Sequence, residues 1–254
     1  MQIDAAGTTY WNDTWSGLGD FERYTRPIHE QHPVLKRFLQ GTTGDAIEIG
    51  CVPGNFLVYL NKEYGYSASG IDYSDHLDYT RANLRFNGIE PKDLINADFF
   101  AYQSRQLYDL VFSSGFVEHF EDHELVVRRH AEFAKPGGLV VIMVPNLLGI
   151  HRVLCGVFQP KVLAVHRFTL MKRTVLGEIL ENCGLEVLFC GFQKTFRPTY
   201  AMPRYADLAS RAFQKGLRLL HADNFGNSFA SPYLISVARK PLAFSSVVLP
   251  SHRS

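Results

Sequence analysis

The chain has 254 residues, 46% of them apolar and 20% charged, a balance that excludes a disordered or fibrous polymer. Its 20 glycines and 12 prolines follow no repeat period, and 26 basic against 25 acidic residues leave a net charge of +1, without the basic excess of a surface that grips nucleic acid. The four cysteines (Cys51, Cys155, Cys183 and Cys190) form no Cys-x-x-Cys pair, which argues against a zinc framework or a disulfide scaffold.

Residues 1–19 are polar and aromatic where an export signal would be apolar. Tyr10, Trp11, Trp15, Phe21 and Tyr24 stand between charges and read as a helical cap over the edge of the fold, spanning residues 1–43. Tyr10, Trp11 and Trp15 have two readings, closure over a ligand and stapling of this helix to the core, with stapling preferred. After residue 45 short β-rich runs alternate with helical stretches. Residues 46–50 (AIEIG) predict a strand, and 55–65 a helix stopped by Gly65. Residues 67–72 predict a second strand, followed by a helix capped by Ser74 or Asp75 and stopped at Gly88. Residues 93–98 and 108–114 supply the third and fourth strands. A charged helix over 122–134 leads through a Lys-Pro-Gly-Gly turn into the fifth strand, LVVIMVP. That apolar stretch of six residues, Leu139 to Val144, is far short of the roughly 20 needed to span a bilayer.

Fully apolar strands separated by helices predict a doubly wound α/β sheet, mostly parallel and covered on both faces. The last third departs from this alternation. An amphipathic helix over 169–182 precedes the strand 185–192, and 233–240 is the last strand, with an antiparallel pairing of the two expected. Two stretches, 147–168 and 193–232, are long for connections and read as substrate-side insertions on one domain, with a loose tail over 241–254.

The strongest chemical signal is AIEIGCVPGNF, residues 46–56. A strand carrying Glu48 turns through Gly50 and Cys51 and opens a helix after Gly54, at the sheet edge where such folds bind small molecules. A pyrophosphate-binding Gly-x-Gly-x-x-Gly is absent, since Val52 and Asn55 take the places of its second and third glycines. Asp72 closes the second strand, 24 residues after Glu48, where a carboxylate accepts both hydroxyls of a ribose. Asp98 closes the third beside Phe99, an acid for an exocyclic amine and a ring for apolar contact with adenine.

These strand ends resemble the class I S-adenosylmethionine-dependent methyltransferase family, in its small-molecule branch of ubiquinone- and sugar-modifying enzymes. The resemblance covers residues 44–146 and continues through YDLVFSSGFVEHF and AKPGGLVVIMVP, similar to the fourth-strand motif and the turn before the fifth strand. It implies seven strands with an antiparallel last one and S-adenosylmethionine as cofactor, with S-adenosylhomocysteine as product. Glu48, Gly50 and Gly54 then shape the methionine pocket, with Cys51 in the same turn. Asp72 binds ribose, Tyr73 either lies against the adenosine or packs, and Asp98 with Phe99 holds adenine. Ser113 and Ser114 offer backbone groups near the sulfonium. Val52 stands where the family has Gly or Ala, so its side chain must turn away from the cofactor or narrow the site.

His119, just past the fourth strand, is a candidate base for a hydroxyl acceptor; the other readings are that it orients the cofactor or caps the next helix. His151, His166 and Arg167 are candidates to face the acceptor, with surface placement as the alternative. His29, His32, His76, His123, His130, His221 and His252 show no metal-ligand spacing, and methyl transfer from a sulfonium needs no metal, so none is expected. The Asp/Asn-Pro-Pro-Tyr/Phe motif of base-amine methyltransferases is replaced by SSGF, and the second glutamate of protein arginine methyltransferases does not follow Glu118. The expected protein is a soluble cytoplasmic enzyme, a monomer or homodimer, acting on an oxygen or nitrogen of a small-molecule acceptor without nucleic acid or membrane. A nicotinamide-dependent oxidoreductase and a non-catalytic S-adenosylmethionine-binding protein are the alternatives.

Overall fold

In the computed structural model, which describes residues 6–25, 32–193 and 226–242, the β-rich runs become seven strands. They are β1 (Asp45–Ile49), β2 (Ser67–Asp72), β3 (Asp93–Asn96), β4 (Tyr108–Ser114), β5 (Ala134–Pro145), β6 (Glu186–Phe192) and β7 (Tyr233–Arg239). They form one sheet in the order β3-β2-β1-β4-β5-β7-β6. The first five pair in parallel, and β7 runs antiparallel to both β5 and β6. Side-chain alternation sorts each strand between two apolar layers. Ile47, Ile49, Val111, Val140 and Ile142 point to one face, where helices α5 (His123–Phe133) and α8 (Arg173–Asn182) bring Val126, Val127, Leu176 and Leu180. Ala46, Leu110, Phe112, Val141 and Met143 point to the other, under α2 (His32–Leu39) and α3 (Asn55–Tyr64).

The helix after β3's neighbour β2 starts later than expected. It is α4 (Leu77–Phe86), with His76 rather than Ser74 or Asp75 at its N-cap. Both expected caps are engaged elsewhere: Ser74 Oγ accepts the His76 amide (3.1 Å) and donates to Asn12 Oδ1 (3.2 Å), and Asp75 Oδ2 accepts from Asn12 Nδ2 (2.7 Å). The Lys-Pro-Gly-Gly segment is not a free turn but a bulge inside β5. Tyr108 faces Ala134 and Leu110 faces Leu139, so one residue of β4 lies opposite four of β5. Gly138 is required there, because a Cβ would lie 2.9 Å from the Lys135 carbonyl oxygen and 3.0 Å from that of Tyr108. The single helix expected over 169–182 is a 3-10 turn (Phe168–Met171) followed by α8, because Leu170 and Met171 both turn into the core.

The N-terminal cap also differs. Helix α1 (Gly7–Trp15) lies across the carboxyl ends of the strands, with the Trp11 ring 4.8 Å from that of His119, while α2 packs on a face through Leu35 and Leu39. The insertion over 147–168 contains α6 (Gly149–Phe158) and α7 (Pro160–Ala164). Most of the second insertion, residues 194–225, and the tail from 243 lie outside the described residues, as do His29, His221 and His252. The bases of the two insertions are tied together. Asn146 Nδ2 donates to the Ser228 and Ser231 carbonyls, the Ile150 amide to Phe229, and His151 Nε2 lies 3.1 Å from the Ala230 oxygen.

His130 in α5 is fully buried, donating Nδ1–H to the Val126 carbonyl (2.8 Å) while Nε2 has no partner among the described residues. Burial pushes its pKa down to about 4. Its unfolded value is near 6.5, so as pH falls from about 6.5 towards 4 the unfolded chain takes up the proton first and the fold loses stability. His130→Phe keeps an aromatic beside Phe99 and is expected to recover about 2 kcal/mol of the acid loss near pH 4.5. Urea midpoints of both proteins at neutral and acid pH measure it; an unchanged difference would refute it.

Candidate active site

The turn after β1 is built around Glu48 and Asp72. Gly54, at φ +88°, is the N-cap of α3 and has no side chain to cap the helix. Glu48 does so from the strand, accepting the Leu57 amide with one oxygen. Its Oε2 is buried and has no hydrogen-bond partner among the described residues. Burial, together with the Asp72 carboxylate, pushes the Glu48 carboxyl well above its ordinary range. Asp72 Oδ2 accepts the Val52 amide (3.1 Å) and Oδ1 the Ser74 amide (2.8 Å). Burial also raises Asp72, against the lowering pull of these amides. Gly50, at φ +71°, brings bare main chain to the site, where a Cβ would lie 2.8 Å from Phe116 Cδ2.

These groups border a cavity of about 360 Å³ at the carboxyl ends of β1, β2 and β4. Of the residues expected from sequence, Glu48, Gly50, Asp72, Tyr73, Phe99, Ser114, His119 and His166 line it. Six others do not. Cys51 turns its side chain into the slot left by Gly70, where a Cβ would lie 2.6 Å from the Cys51 sulfur. Gly54 packs against Thr80, whose Cγ2 would lie 2.8 Å from an added Cβ, so its role is the helix start rather than the cavity wall. Asp98 is exposed, with Oδ1 accepting the Phe100 amide at 2.8 Å. Ser113 is fully buried with Oγ unpartnered among the described residues, one pleat away from the lining residue Ser114. His151 is fully buried between the two insertion bases rather than facing a guest. Arg167 points outward to Glu121 Oε1 (3.0 Å), and only its main chain serves the site. Val52 packs with Leu57, Leu77 and Leu84 while bordering the cavity, so most of its bulk turns away.

The opposite wall is Glu118, His119, His166 and the α1 tryptophans. Two hydrogen bonds pin the insertion to the end of β4: His119 Nδ1 donates to the Val165 carbonyl (2.8 Å), and the Arg167 amide donates to the Glu118 carbonyl (2.8 Å). His166 Nδ1 donates to Val162 (2.6 Å). Burial, with His119 beside it, pushes the His166 pKa down to about 4, so its 3.9 Å approach to Glu118 is not an ion pair at neutral pH. Trp11 and Trp15 stack on the same face of α1 at 6.1 Å, and both line the cavity. Trp15 also packs on the cluster of Leu57 and Leu77, so closure and stapling are both met by the pair. Tyr10 stays behind, edge-on to Trp11.

Sequence reasoning gave Glu118 no role here, and it passed over Phe56, Phe116 and Tyr233. The Glu-His pair set between Phe116, Val117 and Phe120 carried a usable signal, since polar residues inside an apolar run are buried for a reason. Nothing comparable marks Phe56 or Tyr233.

The model of a methyltransferase-domain family matches residues 21–188. Over 105 residues the chain is 30% identical to a trans-aconitate 2-methyltransferase of Rhizobium leguminosarum bv. trifolii (strain WSM2304), covering 41% of this chain and 40% of that protein. Over 133 residues it is 29% identical to a ubiquinone biosynthesis O-methyltransferase of Stutzerimonas stutzeri (strain A1501), covering 50% of this chain and 57% of that one. The chain thus spans about half the length of the curated relatives it matches. The crystal structure of the cyclase SpnF aligns over 94% of both chains with a TM-score of 0.59 at 16% identity, a likeness of fold alone. No helix among the described residues is long and apolar enough to cross a membrane.

Proposed function

The chain belongs to the methyltransferase-domain family, and from that premise we propose that it moves a methyl group from S-adenosylmethionine to an oxygen or nitrogen of a small-molecule acceptor, releasing S-adenosylhomocysteine. One observation carries the reading: Glu48 from β1 and Asp72 from β2 meet in a single cavity at the ligand-binding edge of the sheet. A shared fold does not decide chemistry, as the likeness to a cyclase illustrates; the side chains in the cavity do.

Those side chains fit the donor. Asp72 accepts the Val52 and Ser74 amides through different oxygens and is also held by the Tyr73 main chain, which fixes its carboxylate at the cavity for the ribose hydroxyls. Glu48 holds Oε2 in reserve for the ammonium of the methionine part, and bare backbone at Gly50 allows close approach. Ile71, Ala97 and Phe99 form an apolar flank for adenine, with Tyr73 beside Asp72. When bound, the donor supplies a methyl carbon already activated by a positive sulfur. The chain's own task is to exclude water, hold the acceptor in line and receive its proton. Alignment of this kind is worth up to several kcal/mol. Trp11 and Trp15 line the cavity, and the Nδ1–H bond to Val165 makes Nε2 of His119 the ring nitrogen that takes a hydroxyl's proton. Residues 147–168 contribute His166 to the acceptor side, as expected of a substrate-side insertion.

We further place the enzyme in the cytoplasm, where its four free thiols stay reduced, working on its small molecule as a monomer or homodimer without nucleic acid. Calorimetry tests the cofactor: S-adenosylhomocysteine is expected to bind one per chain and NADH not at all. Acceptor-dependent release of S-adenosylhomocysteine across hydroxyl and amine compounds then tests turnover. A chain that binds NADH and ignores S-adenosylhomocysteine would overturn the proposal.

A further inference from the structure

Glu118, His119 and His166 come from two separate parts of the chain and converge in the cavity wall. Nε2 of His119 lies 3.8 Å and Nε2 of His166 3.9 Å from Glu118 Oε1. The three donor atoms all lie within 4.8 Å of one another. Glu118 is fully buried and His119 nearly so. Both carboxylate–imidazole distances are too long for a hydrogen bond. They are close to what a shared ion demands, because ligands bonded at about 2.0–2.2 Å in a tetrahedral set stand about 3.3–3.6 Å apart. A shift of a few tenths of an ångström closes the two carboxylate–imidazole gaps, and the imidazole–imidazole gap, within 4.8 Å, closes with a movement of up to about 1.2–1.5 Å shared between the two rings.

The surroundings supply the rest of such a centre. Each imidazole donates Nδ1–H to a main-chain carbonyl, His119 to Val165 at 2.8 Å and His166 to Val162 at 2.6 Å. A carbonyl oxygen only accepts, so the proton is on Nδ1 and the lone pair of each neutral ring is on Nε2, aimed at Glu118. Metal-ligating histidines are held in this way. The Arg167 amide bond to the Glu118 carbonyl fixes the relative position of the two chain segments.

We infer that Glu118, His119 and His166 form a binding site for one divalent first-row transition-metal ion, of the zinc or cobalt type, in the wall of the cavity. Two imidazoles and one carboxylate select such ions over magnesium or calcium, which take oxygen ligands. Three protein ligands leave at least one coordination position for water or an oxygen of a guest. An ion there occupies the Nε2 lone pair that otherwise accepts a proton, so a metal-loaded site and His119 as free base are alternative states of the same residues. No local spacing marks this set, since His166 is 47 positions from His119.

The test uses the full chain without a histidine tag. Cobalt titration followed by visible absorption, with zinc competition in the calorimeter, is expected to show one ion per chain and much weaker binding of magnesium. Glu118→Gln and His166→Ala should each weaken cobalt binding by at least about 100-fold, more than loss of an outer-shell partner typically costs. S-adenosylhomocysteine binding by His166→Ala, measured separately, reports whether the variant is folded and whether the donor reading holds. Absence of cobalt uptake by the unaltered chain, or uptake that survives both substitutions, would refute the site even if the donor binds normally.

Discussion

Asp72→Ala should weaken binding of S-adenosylhomocysteine by about 1–3 kcal/mol, roughly 5- to 150-fold. The carboxylate sits at the end of β2 and accepts the Val52 and Ser74 amides through different oxygens. Alanine therefore removes the proposed ribose acceptors and also frees the Val52 and Ser74 amides that the carboxylate holds. Asp72→Asn separates these effects, because its amide group keeps one acceptor oxygen but turns the other position into a donor. Its loss should fall between those of wild type and alanine. Calorimetry gives the affinities and a melting curve checks the fold. Equal affinity in all three proteins would remove Asp72 from the site.

His119→Ala is the second large effect. With a hydroxyl acceptor, kcat is expected to fall by about 10²–10⁴-fold, the usual contribution of a positioned base. The affinity for S-adenosylhomocysteine should stay nearly constant, since the nucleoside contacts proposed above belong to β1, β2 and Phe99. A predominantly KM effect with kcat preserved would make His119 a binding residue only. With an amine acceptor that binds already neutral, the fall in kcat should be much smaller, and the contrast between the two acceptors is the sharper readout.

How far the sequence could be read depended on whether a property was local. The strand carrying Glu48 with its glycine turn, and the acid closing β2 24 residues later, are each written in a short local stretch, and Glu48 and Asp72 line one cavity. The apolar strands likewise announced a sheet covered on both faces. Side-chain direction was harder. Cys51 follows Gly50 in the same turn, yet its sulfur fills a slot that exists only because residue 70 on the neighbouring strand is glycine. Asp98 and Ser113 sit one residue from positions that do line the cavity, an error of one step in a chain whose faces alternate. His151 and His166 looked equivalent on paper. Tertiary packing buried the first against Ala230 and turned the second towards Glu118. The Lys-Pro-Gly-Gly bulge escaped notice because the same residues serve a turn or a bulge, and only pairing with β4 decides between them.

The two hydrogen bonds that join His119 to Val165 and Arg167 to Glu118 have a consequence for descent with modification. Both use main-chain atoms on the insertion side, so the first is indifferent to the side chain at 165 and the second asks only that 167 not be proline. On the proposed reading, a lineage can rewrite this stretch to admit a different guest while the nucleoside grip, encoded about a hundred codons earlier, stays as it is. On that reading, the acceptor side and the donor side are separable, joined at two peptide groups.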